Sequence, residues 1–358
     1  MNYLLNEDQL AFQETAQKFL ATHANSALLH RIADRSDGWQ ESLANLWQGF
    51  AELGFAGLLV PEEYGGIGLD LFDAALIGET LGAAAAPLPF IGHQLACLAI
   101  ARAGDPEQKA KWLPGLADGS LIGTVALHAE TPAWQPAGWQ ADPETAGQHT
   151  LRFVPVPGHN APTLIVVGTA GGGLGLVTPD TDGVIRRDTP CIDPAAFLAE
   201  IDIDQAQVEP LPGGIEHAAG LLAAGRALVA ADACGGTIRC VELAVEYAQV
   251  REQFGVQIGQ FQAVKHQIAD IALEGEPNRP LCWHAAQTTA NQDPGFSRHA
   301  ALAKAHLSDA YLRTARRTIE LHGGFGYTWE ADLHLYLKRA MFGSAWLGSA
   351  TQLRRELA

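Results

Sequence analysis

Apolar residues recur at helical spacing along the first third of the chain. Leu10, Phe12, Ala16, Phe19 and Leu20 form one stripe, and Asn6 followed by Gln9 has the form of a capping box at its start. Leu46, Trp47 and Phe50 anchor a second stripe over Leu43–Leu53. Phe72–Ala86 reads as a third helix, ending in small residues before Pro87 and Pro89. Between these helices, Pro61–Gly68 (P-E-E-Y-G-G-I-G) is a glycine-rich turn. Asp105-Pro106-Glu107 caps a helix expected to run to Trp112 and stop at Pro114. The period then changes. Ile122–Leu127, Thr150–Val154, Thr163–Val167, Gly175–Val177 and Val184–Arg186 are short β-type runs between Gly, Pro and Asp clusters, which predicts a small antiparallel barrel or sandwich. Helical spacing returns near Gly214. Ile215–Val250 is one long helix rich in Ala and Leu, followed by Phe261–Gln287, Phe296–His322 and Asp332–Trp346. Helices, then strands, then helices predict an α+β fold and argue against a doubly wound sheet. The divisions fall at 1–121 for an N-terminal helical domain, 122–212 for a middle β-barrel domain and 213–358 for a C-terminal four-helix bundle.

Composition narrows the functions on offer. In 358 residues, 47% are apolar and 18% charged, so a large core is expected and disorder is not. A net charge of −17 argues against nucleic acid or an anionic membrane as partner. It leaves room for an anionic ligand held by a few local arginines. Cys97, Cys191, Cys234, Cys240 and Cys282 contain no C-x-x-C pair, and no signal peptide precedes them. They read as reduced thiols, which places the protein in the cytoplasm. No apolar run approaches the roughly 20 residues of a membrane span. His128, His217, His266, His306, His322 and His334 have no metal-ligand spacing, so no metal is expected, and no G-x-S-x-G pattern occurs. The glycine-rich Gly168–Gly175 follows an apolar run, but Leu176-Val177-Thr178-Pro179 comes next where a nucleotide fold needs a helix. It is read as a hairpin connection.

Three stretches carry more information. Tyr247–Gln262 reads Y-A-Q-V-R-E-Q-F-G-V-Q-I-G-Q-F-Q, Glu320–Tyr327 reads E-L-H-G-G-F-G-Y, and Gly54–Gly68 reads G-F-A-G-L-L-V-P-E-E-Y-G-G-I-G. Arg251 offers a planar fork of donors suited to a pyrophosphate, or else a surface ion pair with Glu246 or Glu252. Phe254 and Phe261 are aromatic walls, Gln262 can hydrogen-bond a sugar or polyol, and Gly323 and Gly324 allow close backbone approach. Together these stretches, with Ala269-Asp270 between them, resemble the acyl-CoA dehydrogenase family over all three zones. The resemblance implies FAD as cofactor and α,β-dehydrogenation of an acyl-CoA: a carboxylate removes the α-proton while the β-hydride passes to the flavin. It also implies that Arg251, Gln253, Phe254, Phe261, Gln262, Glu320, Gly323 and Gly324 clamp the adenosine diphosphate half of the flavin held by a dimer mate.

The same resemblance exposes departures. In K-R-A-M-F-G-S-A-W-L-G-S, Leu347 stands where the family often carries its catalytic glutamate. Some members place that base on the helix after the F-Q motif. Aligned there, Asn278 takes the base position and Arg279 that of an arginine contacting the CoA substrate. Glu274 and Glu276 lie nearby as relocated bases or as plain surface charges, although Gly275, Pro277 and Pro280 interrupt the helix. In the β-zone, Glu130 and Pro132 echo a flavin-lining T-E-P motif whose Gly-Ser-Asp end is missing, and Gly147–Phe153 replaces a W-I-T-N strand. The expectation is a subunit with no base of its own, paired with a second acyl-CoA dehydrogenase subunit in a heterotetramer. The family includes such enzymes for bulky steroid side-chain thioesters, and its usual electron acceptor is an electron-transferring flavoprotein. The alternatives are a homotetramer with Glu274 or Glu276 as base, and a flavin-free scaffold.

Overall fold

The computed structural model describes residues 5–127, 134–139, 141, 147–159, 163–178, 181–204 and 207–358. Six helices open the chain: α1 (Glu7–His23), α2 (Ser26–Ala33), α3 (Trp39–Glu52), α4 (Leu71–Ala83), α5 (Phe90–Ala103) and α6 (Pro106–Ala117). The Asn6–Gln9 capping box forms, with Asn6 Oδ1 accepting the Gln9 N–H at 2.8 Å. Pro114 does not stop α6. It lies in the last turns, where burial of Leu113, Leu116 and Ala117 outweighs the one hydrogen bond a proline withholds. α5 is buried along most of its length, including the polar His93 and Gln94. His93 Nε2 donates to the Ala56 and Leu116 carbonyls and Nδ1 accepts the Gly123 N–H, while Gln94 bonds Phe55, Ala56 and Leu59. These side chains replace the water that the buried loop at 55–59 would otherwise need.

The β-region contains β1 (Ile122–Ala126), β2 (Gln148–Pro155), β3 (Thr163–Thr169), β4 (Gly173–Val177), β5 (Ile185–Thr189), β6 (Leu198–Asp204) and β7 (Glu209–Pro210). They form two sheets, in the orders β1-β3-β4-β7 and β2-β6-β5. The expectation of purely antiparallel pairing is corrected here: β1 and β3 run parallel. The strand between them in sequence, β2, leaves for the other sheet, so β1 and β3 are joined by a crossover and not by a hairpin. Gly168–Gly175 does join two antiparallel strands, β3 and β4. The sequence reading omitted β6. Its alternation was legible: Ile201 and Ile203 face the core, while Glu200, Asp202 and Asp204 point outward.

The C-terminal bundle is built on α7 (Gly214–Val250), 37 residues long, which packs against α4, α5 and α10. A two-residue hairpin, β8 (Glu252–Gln253) and β9 (Val256–Gln257), leads to α8 (Gln262–Ala272) and α9 (Arg279–Ala290). The single helix expected over Phe261–Gln287 is thus two. Gly275, Pro277 and Pro280 separate them through a short 3-10 turn at Glu276–Asn278. Then come α10 (Phe296–Leu321), α11 (Leu333–Ala345) and α12 (Ala350–Leu357), the last capped by Ser349 and absent from the sequence reading. No helix among the described residues is long and apolar enough to cross a membrane.

Candidate functional site

The hairpin after α7 turns on Phe254 (φ +54°) and Gly255 (φ +79°), and both central residues adopt the left-handed conformation that tight hairpins require. This thrusts Phe254 outward, 93% exposed, with its edge against Phe261 at 6.1 Å. The Ile258 N–H closes the loop on the Arg251 carbonyl at 2.8 Å. Facing the hairpin, α10 ends and the chain enters the 3-10 turn Gly323–Tyr327. Between them opens a surface cleft of ≈ 590 Å³. Arg251, Gln253, Glu320, Gly323 and Gly324 all line it, together with five residues the sequence does not single out: Tyr247, Ile258, Leu321, His322 and Phe325. Tyr247 stacks on His322 at 4.1 Å and lies within 8° of parallel to Phe325 at 6.0 Å. His322 Nδ1 donates to the Thr318 carbonyl at 2.8 Å, and burial lowers its pKa. The signal was local: Tyr247 precedes Arg251 by one helical turn, and His322 and Phe325 flank the two glycines.

Arg251 is not the surface ion pair considered above. Glu246 is taken by Arg239 at 2.8 Å, and among the described residues no carboxylate lies within ion-pair distance of Arg251. A Cβ at Gly323 or Gly324 would meet no atom of the chain, so it would project into open space. Only Gly323, at φ +61°, needs to be glycine for its backbone. A free guanidinium, two glycines bordering a void and an aromatic stack fit a nucleotide diphosphate. Phe254, Phe261 and Gln262 lie outside the cleft lining, the first two as an aromatic pair beside it and Gln262 exposed at the start of α8.

The second region lies around Trp346. Leu347 is fully buried at φ +59°. Its side chain enters the seam between α5 and α7, where a Cβ at Gly225 would come within 2.5 Å of Leu347 Cδ1. Two cations hold the backbone of the Leu347–Gly348 turn. Arg226 Nε donates to the Leu347 carbonyl at 3.2 Å while its guanidinium pairs with Glu356 at 3.0 Å. Lys304 Nζ donates to the Gly348 carbonyl at 2.6 Å. Lys304 is fully buried, and that burial, reinforced by Arg226, lowers its pKa to about 7.

Trp346, the preceding residue, borders a pocket of only ≈ 100 Å³, walled by Phe90, Pro155, Val156, Pro157, Phe197 and Phe342. Its polar groups are already engaged. Arg339 Nη2 meets Asp232 Oδ2 at 2.5 Å and Arg339 Nη1 donates to the Ala86 carbonyl at 3.0 Å. The Thr124 hydroxyl donates to the Pro155 carbonyl. Asp193 accepts the Ala195 N–H at 2.9 Å, and burial raises its pKa. Pro87, Pro89, Pro155 and Pro157 line the pocket and have no N–H to offer. Ligand sites generally measure roughly 300–1,000 Å³. Among the described residues, neither this volume nor this set of donors fits a flavin ring with its polar edge.

The fallback residues lie apart from Leu347 and share no partner with it. Asn278 donates to the Glu274 carbonyl at 3.2 Å and meets His306 Nε2 at 3.1 Å. Arg279 is bound to Glu79 at 2.7 Å and Glu276 at 2.5 Å, and Trp283 also donates to Glu79. Glu79 is buried deeply enough that its pKa is raised despite Arg279. Glu274 receives both nitrogens of the Arg313 fork at 2.8–3.1 Å. Beside Leu347 the fold places Gly225 and Arg226, neither of which the sequence reading singled out. The Glu130–Pro132 echo falls at 128–133, outside the described residues. In its neighbour, Phe153 sits at a bulge of β2 with φ +54° and is half exposed.

Profiles of the acyl-CoA dehydrogenase N-terminal domain and C-terminal domain match residues 6–120 and 213–358. The acyl-CoA dehydrogenase IpdE2 of Mycobacterium tuberculosis is 34% identical over 355 residues, covering 98% of this chain and 96% of that protein. Among solved structures, a variant of the Tcur3481-Tcur3483 steroid ACAD superposes with a TM-score of 0.86 at 30% identity, over 98% of this chain and 96% of that one. An FAD complex of PigA shares the fold, with a TM-score of 0.86 at 24% identity over 100% and 98% of the two chains. The chain belongs to the acyl-CoA dehydrogenase family, oxidoreductases that act on a CH–CH bond with FAD as cofactor.

Proposed function

We propose that this chain is the non-catalytic subunit of a heteromeric FAD-dependent acyl-CoA dehydrogenase, with the base and the flavin ring pocket supplied by a second, catalytic subunit. One observation carries the reading: the nucleotide cleft at Arg251 is open, while the pocket at Trp346 is closed to ≈ 100 Å³. Bound FAD supplies the hydride acceptor for the α,β-dehydrogenation. This chain's share is recognition. Arg251 neutralises diphosphate charge with a planar fork, the Gly323 and Gly324 backbone lies open to close approach, and the Tyr247–His322–Phe325 stack offers a surface to a planar base. No proton is moved by Leu347, which has no basic atom, or by Asp232, whose carboxylate is held by Arg339. Glu274 and Glu276 are each bound to an arginine, which speaks against a homotetramer with a relocated base. A bulky steroid side-chain thioester as substrate is supported by the likeness to the steroid ACAD. Electron transfer to an electron-transferring flavoprotein is the family's default, and a cytoplasmic setting follows from reading the five cysteines as reduced thiols.

Co-expression with candidate partner subunits tests the reading. The chain alone should be colourless, and the complex yellow, with one flavin for every two chains. A yellow, active assembly of this chain by itself would sink the proposal. A colourless complex would favour the scaffold.

A further inference from the structure

Phe197 stands at the wall of the small pocket, where the loop from β5 reaches β6. Its ring lies against the backbone of Gly158, where a Cβ would come within 2.4 Å of Phe197 Cε2. The Phe197 carbonyl accepts the Val156 N–H at 3.0 Å, tying the loop to the end of β2. Asp193 shapes the same loop, its carboxylate accepting the Ala195 N–H at 2.9 Å and its carbonyl the Ala196 N–H at 3.2 Å.

The ring is also held by the N-terminal helices. Trp39 stacks on it with centroids 5.5 Å apart and planes 9° from parallel. The Arg35 guanidinium lies 4.6 Å from the Trp39 ring and 4.4 Å from the Phe197 ring. Its Nη1 donates to the Ile32 carbonyl at 2.6 Å, so the cation is anchored against both rings. Such stacking is stronger than simple apolar contact, because a guanidinium is attracted to an aromatic face and is weakly hydrated. Arg35 adopts φ +53°, a conformation that residues with a side chain rarely hold unless their surroundings enforce it.

We infer that Phe197 is the specificity-determining residue that keeps this pocket from taking a ligand, with Arg35 and Trp39 as its latch. The inference rests on the reading of the pocket as one this subunit does not use. Removing the ring would enlarge a pocket also lined by Pro155, Pro157 and Phe342, with Asp193 in the same lining. The class of molecule it would accept is a small planar apolar ring carrying one N–H or O–H donor.

Indole is the probe, titrated into the co-expressed complex by calorimetry and by ligand-detected NMR. The wild type should show no saturable site. Phe197→Ala should bind indole at least about tenfold more tightly than any residual wild-type binding, and Trp39→Ala, which keeps the plug and removes the latch, should gain about threefold. No gain in Phe197→Ala overturns the inference. If that variant does not fold, Trp39→Ala decides, and an unchanged affinity there overturns it. An unaltered ratio of one flavin to two chains alongside no gain removes the plug alone. Saturable indole binding or a second flavin in the wild type removes the plug and the unused-pocket reading together.

Discussion

The cleft at Arg251 and the pocket at Trp346 are both lined by residues of the C-terminal bundle, yet they were shaped in opposite directions. In the cleft, Arg251 has no ion-pair partner among the described residues, the Tyr247–His322–Phe325 stack lines the opening, and Gly323 and Gly324 border empty space. In the pocket, each charged group has found a partner within the chain and the walls are proline and phenylalanine. The difference teaches where this subunit's chemistry can lie. A surface that keeps its charge unpaired is prepared for a ligand, whereas one that has neutralised its charges and filled its volume is prepared for stability.

Leu347→Glu tests that contrast most severely. If the position were only a lost base, the glutamate would restore dehydrogenation. The packing against Gly225 instead predicts destabilisation of roughly 3 kcal/mol or more, because a carboxylate enters an apolar seam, and no activity from the chain alone. Thermal melts and turnover of the isolated variant decide between them.

Lys304 comes next. Its folded pKa is lowered to about 7 from an ordinary 10.5, so between those values the unfolded chain binds a proton that the folded chain does not. Stability therefore rises as pH climbs from 7 to 10.5, by an amount on the order of a few kcal/mol. Lys304→Met should flatten that rise in denaturant titrations run across the window. An equal slope in both proteins would place the titration elsewhere.

Arg251→Ala, in the complex, should weaken flavin retention about ten- to a hundredfold, as expected for a charge-assisted contact worth roughly 1.5–3 kcal/mol. Unchanged flavin content on dialysis would remove the clamp. The smallest effect belongs to Glu274→Gln and Glu276→Gln. Their arginine partners are exposed or half-buried, so turnover of the complex should stay within about twofold. A loss of a hundredfold or more in either would revive the relocated base.

Much of this was legible because it is local. The lining of the cleft was readable from two short motifs, since Arg251 and the hairpin are contiguous and Gly323 and Gly324 are neighbours. The helix break after α8 followed from Gly275, Pro277 and Pro280, whose backbone limits act on their own segment. Pro114 misled for the same reason: its local rule is sound, but the buried face of α6 overruled it. Reading failed where partners are remote. Aligning along the chain led from Leu347 to Asn278 and Arg279, while the fold sets it beside Gly225 and Arg226, which bonds Leu347 across 121 positions of sequence. The parallel pairing of β1 with β3 was likewise invisible, because strand order is a property of the assembled sheet.

The sequence by itself determined that position 347 has no base, that helices enclose a β-region and that an arginine–glycine motif suited to a diphosphate follows the long helix. Those are matters of side-chain chemistry and short-range periodicity, which folding cannot alter. Tertiary structure alone decided that the pocket is full, that Lys304 is buried beside a backbone turn and that Tyr247, His322 and Phe325 stack into one surface. Volume, desolvation and stacking depend on which distant residues share a space, and that is set only when the chain packs.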